Sequence, residues 1–319
     1  MSRYMLKRVL RGLLTAAVSV TLTFIIVRVM PGDPATMLMD PRMTEEIRQQ
    51  ILHDFGLDKP LWVQYLTYVG QLLKGNLGVS FRSLTPVAAV IWSRLPWTLL
   101  LMGTSFILTI LIGVPLGVVA AVKRGGACDR VINAFAIAGH SIFVPWLGIT
   151  LLYLLGYTLP WFPIGGACDI GVTGWEAVSS VARHLVLPVT TLTIINLASY
   201  VLFLRTGMVE TLREDFVRTA RAKGVPENRV IFRHALRNAF LPTVTMIGLQ
   251  LGSMVGGAVL TESVFAYPGV GRLIYESVTQ HDYPVLQGTF IILAFTVILA
   301  NILTDLAYAY LDPKVRFEA

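Results

Sequence analysis

Hydrophobic and polar positions divide the chain into long apolar runs separated by shorter polar stretches. Six runs stand out: Val9–Met30, Trp97–Val122, Val131–Leu159, His184–Leu204, Phe240–Leu260 and Leu286–Leu311. Each is near the roughly 20 residues that cross a bilayer as a helix. The first is too long for a signal-peptide core, and the Pro31, Gly32, Asp33 and Pro34 that follow offer no small-x-small cleavage site, so it reads as an uncleaved transmembrane helix. Arg28, near its outer end, is placed to snorkel to the interface. Pro145 predicts a kink in the third run.

The polar stretches differ in charge, and the difference alternates. Residues 123–130 carry Lys123, Arg124 and Arg130 against Asp129, and the 210–237 stretch is basic. Residues 160–183 carry Asp169 and Glu176 against Arg183, and residues 261–285 carry Glu262, Glu276 and Asp282 against Arg272. Basic loops therefore fall on one side throughout, which predicts an all-α integral membrane protein of six transmembrane helices with both termini cytoplasmic. In this reading residues 1–30 are the first helix, 31–97 an extracytoplasmic subdomain, 98–311 a five-helix core and 312–319 a cytoplasmic tail. Within the subdomain, Thr44 followed by Glu45 and Glu46 opens a helix to His53, a second helix covers Leu61–Lys74, and Gly75, Asn76 and Gly78 make a turn.

Composition agrees. Of 319 residues 55% are hydrophobic and 14% charged, against about 25% charged in soluble domains. The net charge of +7 does not point to nucleic acid, because its basic residues sit in the short loops that orient a membrane protein. Cys128 and Cys168 fall on opposite sides of the predicted bilayer, so no disulfide joins them. The Gly-x-x-x-x-Gly-Lys-Ser/Thr loop that cradles nucleotide phosphates is missing. No Cys/His cluster has zinc spacing, and no catalytic Ser/His/Asp arrangement is compelling. His140 and Asp305 lie in or near apolar runs, where a polar group either lines a pathway or bonds a neighbouring helix.

The most charged stretch runs from Glu210 to Pro242, with seven basic residues against four acidic, a net of +3. Leu212, Phe216, Ala220 and Ala222 recur at near-helical spacing, which predicts a short amphipathic helix that Gly224 ends. Pro226 opens a second helix with Glu227 in its first turn and Arg233 and Arg237 in its last. Two short helices joined at a glycine are either a docking surface for a soluble partner or a solvated loop held by positive-inside charge. In the fifth run, Gly248, Gly252 and Gly256 repeat at four-residue spacing beside Ser253, the pattern of a close helix–helix or subunit interface, on a helix polar enough to line a pathway as well.

Arg218-Thr219-Ala220-Arg221-Ala222-Lys223-Gly224, with Arg233-His234-Ala235-Leu236-Arg237-Asn238 and Leu241-Pro242, closely resembles the coupling motif of ABC importer permeases, above all the dipeptide, oligopeptide and nickel group. Pro31-Gly32-Asp33-Pro34, Leu57-Asp58-Lys59-Pro60, Val63-Gln64-Tyr65, Arg94-Leu95-Pro96, Phe265, Pro268-Gly269-Val270-Gly271-Arg272 and Asp282-Tyr283-Pro284 extend the resemblance along nearly the whole chain. The chain departs from the general motif in carrying Arg218-Thr219-Ala220 where Glu-Ala-Ala is usual.

The resemblance implies a type I importer permease fold and a transport subunit rather than an enzyme. The implied partners are a second permease of similar fold, two ATPase subunits that hold the ATP and magnesium, and an extracytoplasmic binding protein that delivers substrate. It assigns ATPase coupling to Phe216, Arg218, Thr219, Ala220, Arg221, Ala222, Lys223, Gly224, Pro226, Arg233 and His234, within coupling helices at 210–238. It turns Asp58, Tyr65, Pro268, Gly269, Arg272 and Asp282 toward the binding protein. Peptides are the expected substrate. Nickel is the alternative, although no His/Cys/Asp cluster in the runs would hold it. The competing class is a channel or secondary transporter, against which the lack of buried acid/base pairs argues.

Overall fold

The computed structural model describes residues 2–29, 59–240 and 258–311, and these are almost entirely helical. The expected helix at Thr44–His53, the Pro31–Pro34 and Leu241–Pro242 motifs, Asp58, and Gly248, Gly252, Ser253 and Gly256 lie outside the described residues, as does the 312–319 tail.

Helix α1 (Ser2–Val29) packs against the last helix. A Cβ added at Gly12 would stand 3.2 Å from the Ile298 side chain, so the glycine sets the close approach. Leu13, Leu14, Val18, Leu22 and Ile26 stay exposed, as on a helix bathed in lipid. Helix α2 (Leu61–Leu73) matches the expected outer helix to within a residue and buries no side chain fully. It is pinned to α1 by aromatic contacts. The Tyr65 hydroxyl lies 2.7 Å from that of Thr21, and Phe24 meets the Tyr65 ring edge-on and stacks on Tyr68. The turn after α2 follows its residues, with Gly75 and Gly78 at positive φ and Asn76 Oδ1 accepting the Gly78 N–H.

The centre of the molecule is the pairing of α3 (Val87–Val122) with α6 (Gly174–Thr211). Leu101, Ser105, Thr109, Gly113, Gly117 and Ala121 form a buried stripe on α3 at four-residue spacing. A Cβ at Gly113 would sit 3.0 Å from Tyr200 Cβ, and one at Gly117 3.1 Å from Leu204 Cβ and 3.2 Å from the Val201 carbonyl. Small side chains let these backbones meet, since in lipid the packing of complementary surfaces, not exclusion from water, joins helices. Helix α3 starts well before the Trp97 expected from the apolar run. Val87, Ile91 and Leu95 make one buried face against Leu273, Val285 and their neighbours, while Trp92 and Arg94 stay off that face. Pro96 and Pro115 are both taken into the helix, as transmembrane helices allow.

The third apolar run differs from a kinked helix. Helix α4 (Ala127–Ser141) and α5 (Val144–Leu151, continued by a π-helical turn over Leu152–Thr158) meet at 101°, with the break at Ile142 and Phe143. Pro145 is not the bend point; it occupies the first turn of α5, where its missing N–H costs nothing. After α6 come α7 (Asp215–Ala222), α8 (227–240), α9 (258–264), α10 (Val270–Thr279) and α11 (Tyr283–Leu311). Among the described residues three helices are long and apolar enough to cross a membrane, four if the bent α4–α5 pair is one span. Cys128, in α4, and Cys168, before α6, are both free.

The α3–α6 stripe makes a differential prediction. Gly117→Ala forces a methyl against the Val201 carbonyl and Leu204, whereas Gly103→Ala, on the same helix with nothing within 4 Å, meets open space. The stability of the purified protein, measured by thermal unfolding, should fall by about 1–3 kcal/mol for Gly117→Ala and should not fall for Gly103→Ala.

Candidate functional site: a two-helix docking surface

Helix α7 begins with Asp215 in its first turn and ends with Arg221 in its last, both favourable to the helix dipole. Its end is closed by Gly224 at φ +73°. The Val225 N–H donates to the Ala220 carbonyl at 3.2 Å and the Gly224 N–H to the Arg221 carbonyl at 2.9 Å, the paired bonds of a Schellman cap. Val225 packs back beside Val217 and Ala220. Only glycine takes this φ without strain. No heavy atom lies within 4 Å of the Cβ position, so a side chain here is opposed by the backbone alone. Pro226 then caps α8, its carbonyl accepting the N–H groups of Arg229 and Val230.

A bidentate ion pair spans the turn. Arg221 Nη2 and Nε donate to Glu227 Oε1 and Oε2 at 2.6 and 3.1 Å. The guanidinium holds the Glu227 carboxyl below its ordinary pKa, and the carboxylate raises that of Arg221. The clamp is therefore intact at neutral pH and is lost only as pH falls through the lowered Glu227 value. Arg221 is thus engaged within its own chain.

The inward face of the pair is apolar. Val217, Ala220 and Val230 form one small core with Leu212 and Val225. Ile231, Ala235 and Ala239 of α8 form a second with Val118 and Ala121 of α3 and Leu204 and Met208 of α6. At the crossing, a Cβ on Gly207 would lie 3.1 Å from the Ala239 carbonyl, so α8 rests directly on α6. The periodicity puts Phe216 on the buried face; in the structure Val217 takes that place, and Phe216 points outward.

The outward face carries Phe216 and Phe232, 42% and 60% exposed. On the same two helices and the turns that flank α7, Arg213, Lys223, Arg229, Arg233 and Arg237 are exposed and have no ionic or hydrogen-bonding side-chain partner among the described residues. Arg218 is held only loosely, 3.6 Å from an exposed Asp215. Thr219 bonds back to the Asp215 carbonyl, Ala222 is exposed and His234 is half-buried. Exposed aromatics together with cations that have no side-chain partner among the described residues suit a partner with apolar and acidic surface.

At the opposite end of α3, two of the residues assigned to the binding-protein side, Gly269 and Asp282, are buried. Asp282 is buried, accepting the Ser80 hydroxyl at 2.5 Å and the Phe81 N–H at 3.2 Å. Gly269 is buried against Glu262, whose carboxyl would lie 2.2 Å from a Cβ there. Glu262, fully buried, accepts the Thr98 hydroxyl at 2.7 Å and the Arg272 N–H at 3.0 Å. Arg272 is half-buried and pairs with Glu276. These residues shape the loop and present little surface themselves; Pro268 is half-buried, and Tyr65 is committed to α1. His140 donates a ring N–H to the Ile195 carbonyl of α6, a bond to a neighbouring helix. Asp305 lies on α11 in a part whose side chains are outside the description. Residue patterns did not reveal Glu262 or the buried pairing of Asp129 with Arg205, because both rest on contacts between residues far apart in sequence.

With this geometry established, comparison with known proteins is informative. The sequence profile described as "Binding-protein-dependent transport system inner membrane component" matches residues 113–317, and that of its N-terminal counterpart matches residues 1–102. The chain is similar to the oligopeptide transport system permease protein AppB of Bacillus subtilis (strain 168), 38% identical over 318 residues, covering 99% of this chain and 100% of that protein. It is also similar to the dipeptide transport system permease protein DppB of Escherichia coli (strain K12), 39% identical over 315 residues and covering 92% and 93%. Among solved structures, an inward-facing conformation of the MetNI methionine ABC transporter shares the fold, with a TM-score of 0.58 at 17% identity over 70% of this chain and 96% of that one.

The clamp across the turn yields a charge-swap test. Arg221→Glu sets two carboxylates face to face, and hydrogen exchange at the Gly224 and Val225 amides should quicken by roughly twofold to fivefold, as fits an exposed ion pair. The double variant Arg221→Glu with Glu227→Arg should restore slow exchange. A double variant as fast as the single one would show that the pair does not hold the turn.

Proposed function

The chain belongs to the family of binding-protein-dependent transport system inner membrane components, and on that premise we propose that it is one of two permease subunits of a peptide-importing ABC transporter. It lies in the inner membrane as a multi-pass protein. In this reading it has six spans with both termini in the cytoplasm, and α7 and α8 form the coupling surface on that side. Two ATPase subunits dock there and carry the ATP and magnesium. A second permease of similar fold completes the pathway, and a binding protein delivers substrate at the opposite face.

One observation carries the reading. The docking pair joins exposed aromatics and exposed cations to an inward face seated on the ends of α3 and α6. A surface that binds a soluble partner and is packed without a gap onto two long helices is suited to pass a rigid-body displacement to them, because close-packed interiors transmit strain. A solvated loop needs neither face. The peptide substrate is supported by the names of relatives that match the chain along nearly its whole length.

The mechanism follows from the geometry. When the ATPases close, α7 and α8 move together, held by the Schellman cap and the Arg221–Glu227 clamp. Ile231, Ala235 and Ala239 press on Val118, Ala121, Leu204 and Met208, and the near ends of α3 and α6 follow. Uptake requires that the two arrangements of these helices bind the ATPases and the substrate differently.

Gly224→Val tests the assignment. A β-branched residue at φ +73° costs roughly 1–2 kcal/mol or more, which the connection relieves by changing shape while the helices stay inserted. In reconstituted complexes of normal ATPase stoichiometry, peptide uptake should fall severalfold, with substrate-stimulated ATP hydrolysis falling alongside or continuing uncoupled. Normal uptake would return residues 210–242 to a solvated loop.

A further inference from the structure

Between α4 and α6 lies an ionic cluster, built on a buried carboxylate, that the docking surface does not use. Asp129, 3% exposed, accepts two bonds from Arg205, Nε to Oδ1 at 2.6 Å and Nη2 to Oδ2 at 2.7 Å. The same carboxylate accepts the Gly125 N–H at 2.8 Å and the Asn133 amide at 2.6 Å. Gly125, at φ +78°, is the turn that joins α3 to α4. Three exposed basic residues surround the site, Lys123, Arg124 and Arg130, yet Asp129 selects Arg205, from a helix 76 positions on in sequence.

The position of Arg205 gives the cluster its meaning. Leu204 beside it and Met208 one turn later are the residues of α6 on which α8 rests. The bridge therefore leaves α6 at the level where the docking helices load it. It ends at the start of α4, the helix that runs to the 101° break at Ile142 and Phe143. Helix α4 otherwise meets α6 through apolar and small residues, with a Cβ at Gly139 falling 3.0 Å from the Ile194 carbonyl. Ala136 and Ile132 pack on Ala198 and Val201, but Val131, Ala134 and Phe135 are exposed. This packing is apolar and carries no directional bond of its own. A bidentate pair between the buried Asp129 carboxylate and the half-buried Arg205 guanidinium, further bonded, adds a constraint on both distance and orientation.

We propose that Asp129 and Arg205 are a positioning pair that makes α4 follow α6 when the docking helices move, so that the broken span changes shape in step with the α3–α6 core; this rests on the coupling role of α7 and α8. Asn133 orients the carboxylate from within α4, and Gly125 ties the α3–α4 turn to the same point.

The test uses complete complexes of permease pair, ATPases and binding protein in proteoliposomes, reading peptide taken up per ATP hydrolysed. Asp129→Asn should lower that ratio by roughly threefold to thirtyfold, the range of coupling terms carried by intervening residues. Arg205→Gln should do the same, and the double variant should be no worse than either single, since each removes the same bridge. Spin labels on the near ends of α4 and α6 should keep one separation through the ATP cycle in the unmodified protein and lose it in Asp129→Asn. An unchanged ratio, or losses that add in the double variant, overturns the proposal. If Asp129→Asn does not assemble, Asn133→Ala decides: a smaller drop in the ratio supports the pair and an unchanged ratio overturns it. Gly224→Val complexes measured in parallel separate the two readings. If Gly224→Val couples normally, the coupling role fails and the positioning pair with it. If Gly224→Val uncouples while Asp129→Asn does not, only the pair fails.

Discussion

The seating of α8 on the joined ends of α3 and α6 is the contact on which the rest of the arrangement depends. It is made by small and aliphatic side chains, Ile231, Ala235 and Ala239 against Val118, Ala121, Leu204 and Met208, and it closes to backbone distance at Gly207. Such a contact has little tolerance for slip, because each missing methylene leaves a gap and each added one a clash. It also explains why the outward face is free to be polar and aromatic. Burial on one side fixes the helices, so Phe216, Phe232 and the exposed arginines need contribute nothing to folding.

At the other end of α3 a different chemistry does a similar task. Glu262, fully buried, collects the Thr98 hydroxyl and backbone N–H groups of the 269–272 loop, and the Thr98 hydroxyl oxygen accepts the Val270 N–H at 2.7 Å. Gly269 and Gly271 leave room for the carboxylate, since a Cβ at either would fall within 3 Å of Glu262 or the α9 backbone. A second carboxylate, Asp282, ties Ser80 and Phe81 to the start of α11. Both ends of the α3–α6 core are thus fastened by side chains from distant parts of the chain, polar at one end and mainly apolar at the other.

Local features were legible in the sequence, and tertiary ones largely were not. Gly224 announced its positive φ because a helix-ending glycine before a proline has few other uses, and the α2 boundaries and the Gly75–Gly78 turn followed equally local rules. The start of α3 is hidden by Arg94 and Pro96, which delay the apolar run to Trp97 until Val87, Ile91 and Leu95 are seen to share one buried face. Phe216 was placed inward by spacing alone, whereas the packing of α7 on α8 selects Val217. The assignment of Gly269 and Asp282 to an outer surface followed a resemblance in residues, but the same residues are buried because the loop is built around two carboxylates. Asp129 reads in the sequence as one charge of the 123–130 loop, and only the fold brings it to Arg205 of α6.

The central claim, that the outward face of α7 and α8 receives the ATPases, is open to direct measurement. In a background where Cys128 and Cys168 are replaced by serine, single cysteines at Phe216 and Phe232 should react readily with a water-soluble thiol reagent in the isolated permease, given the exposure of both positions. Adding the ATPase subunits should protect both, while a cysteine at Trp161, 64% exposed and remote from the docking pair in the sequence, stays reactive. Equal labelling of Phe216→Cys and Phe232→Cys with and without bound ATPase would contradict the account.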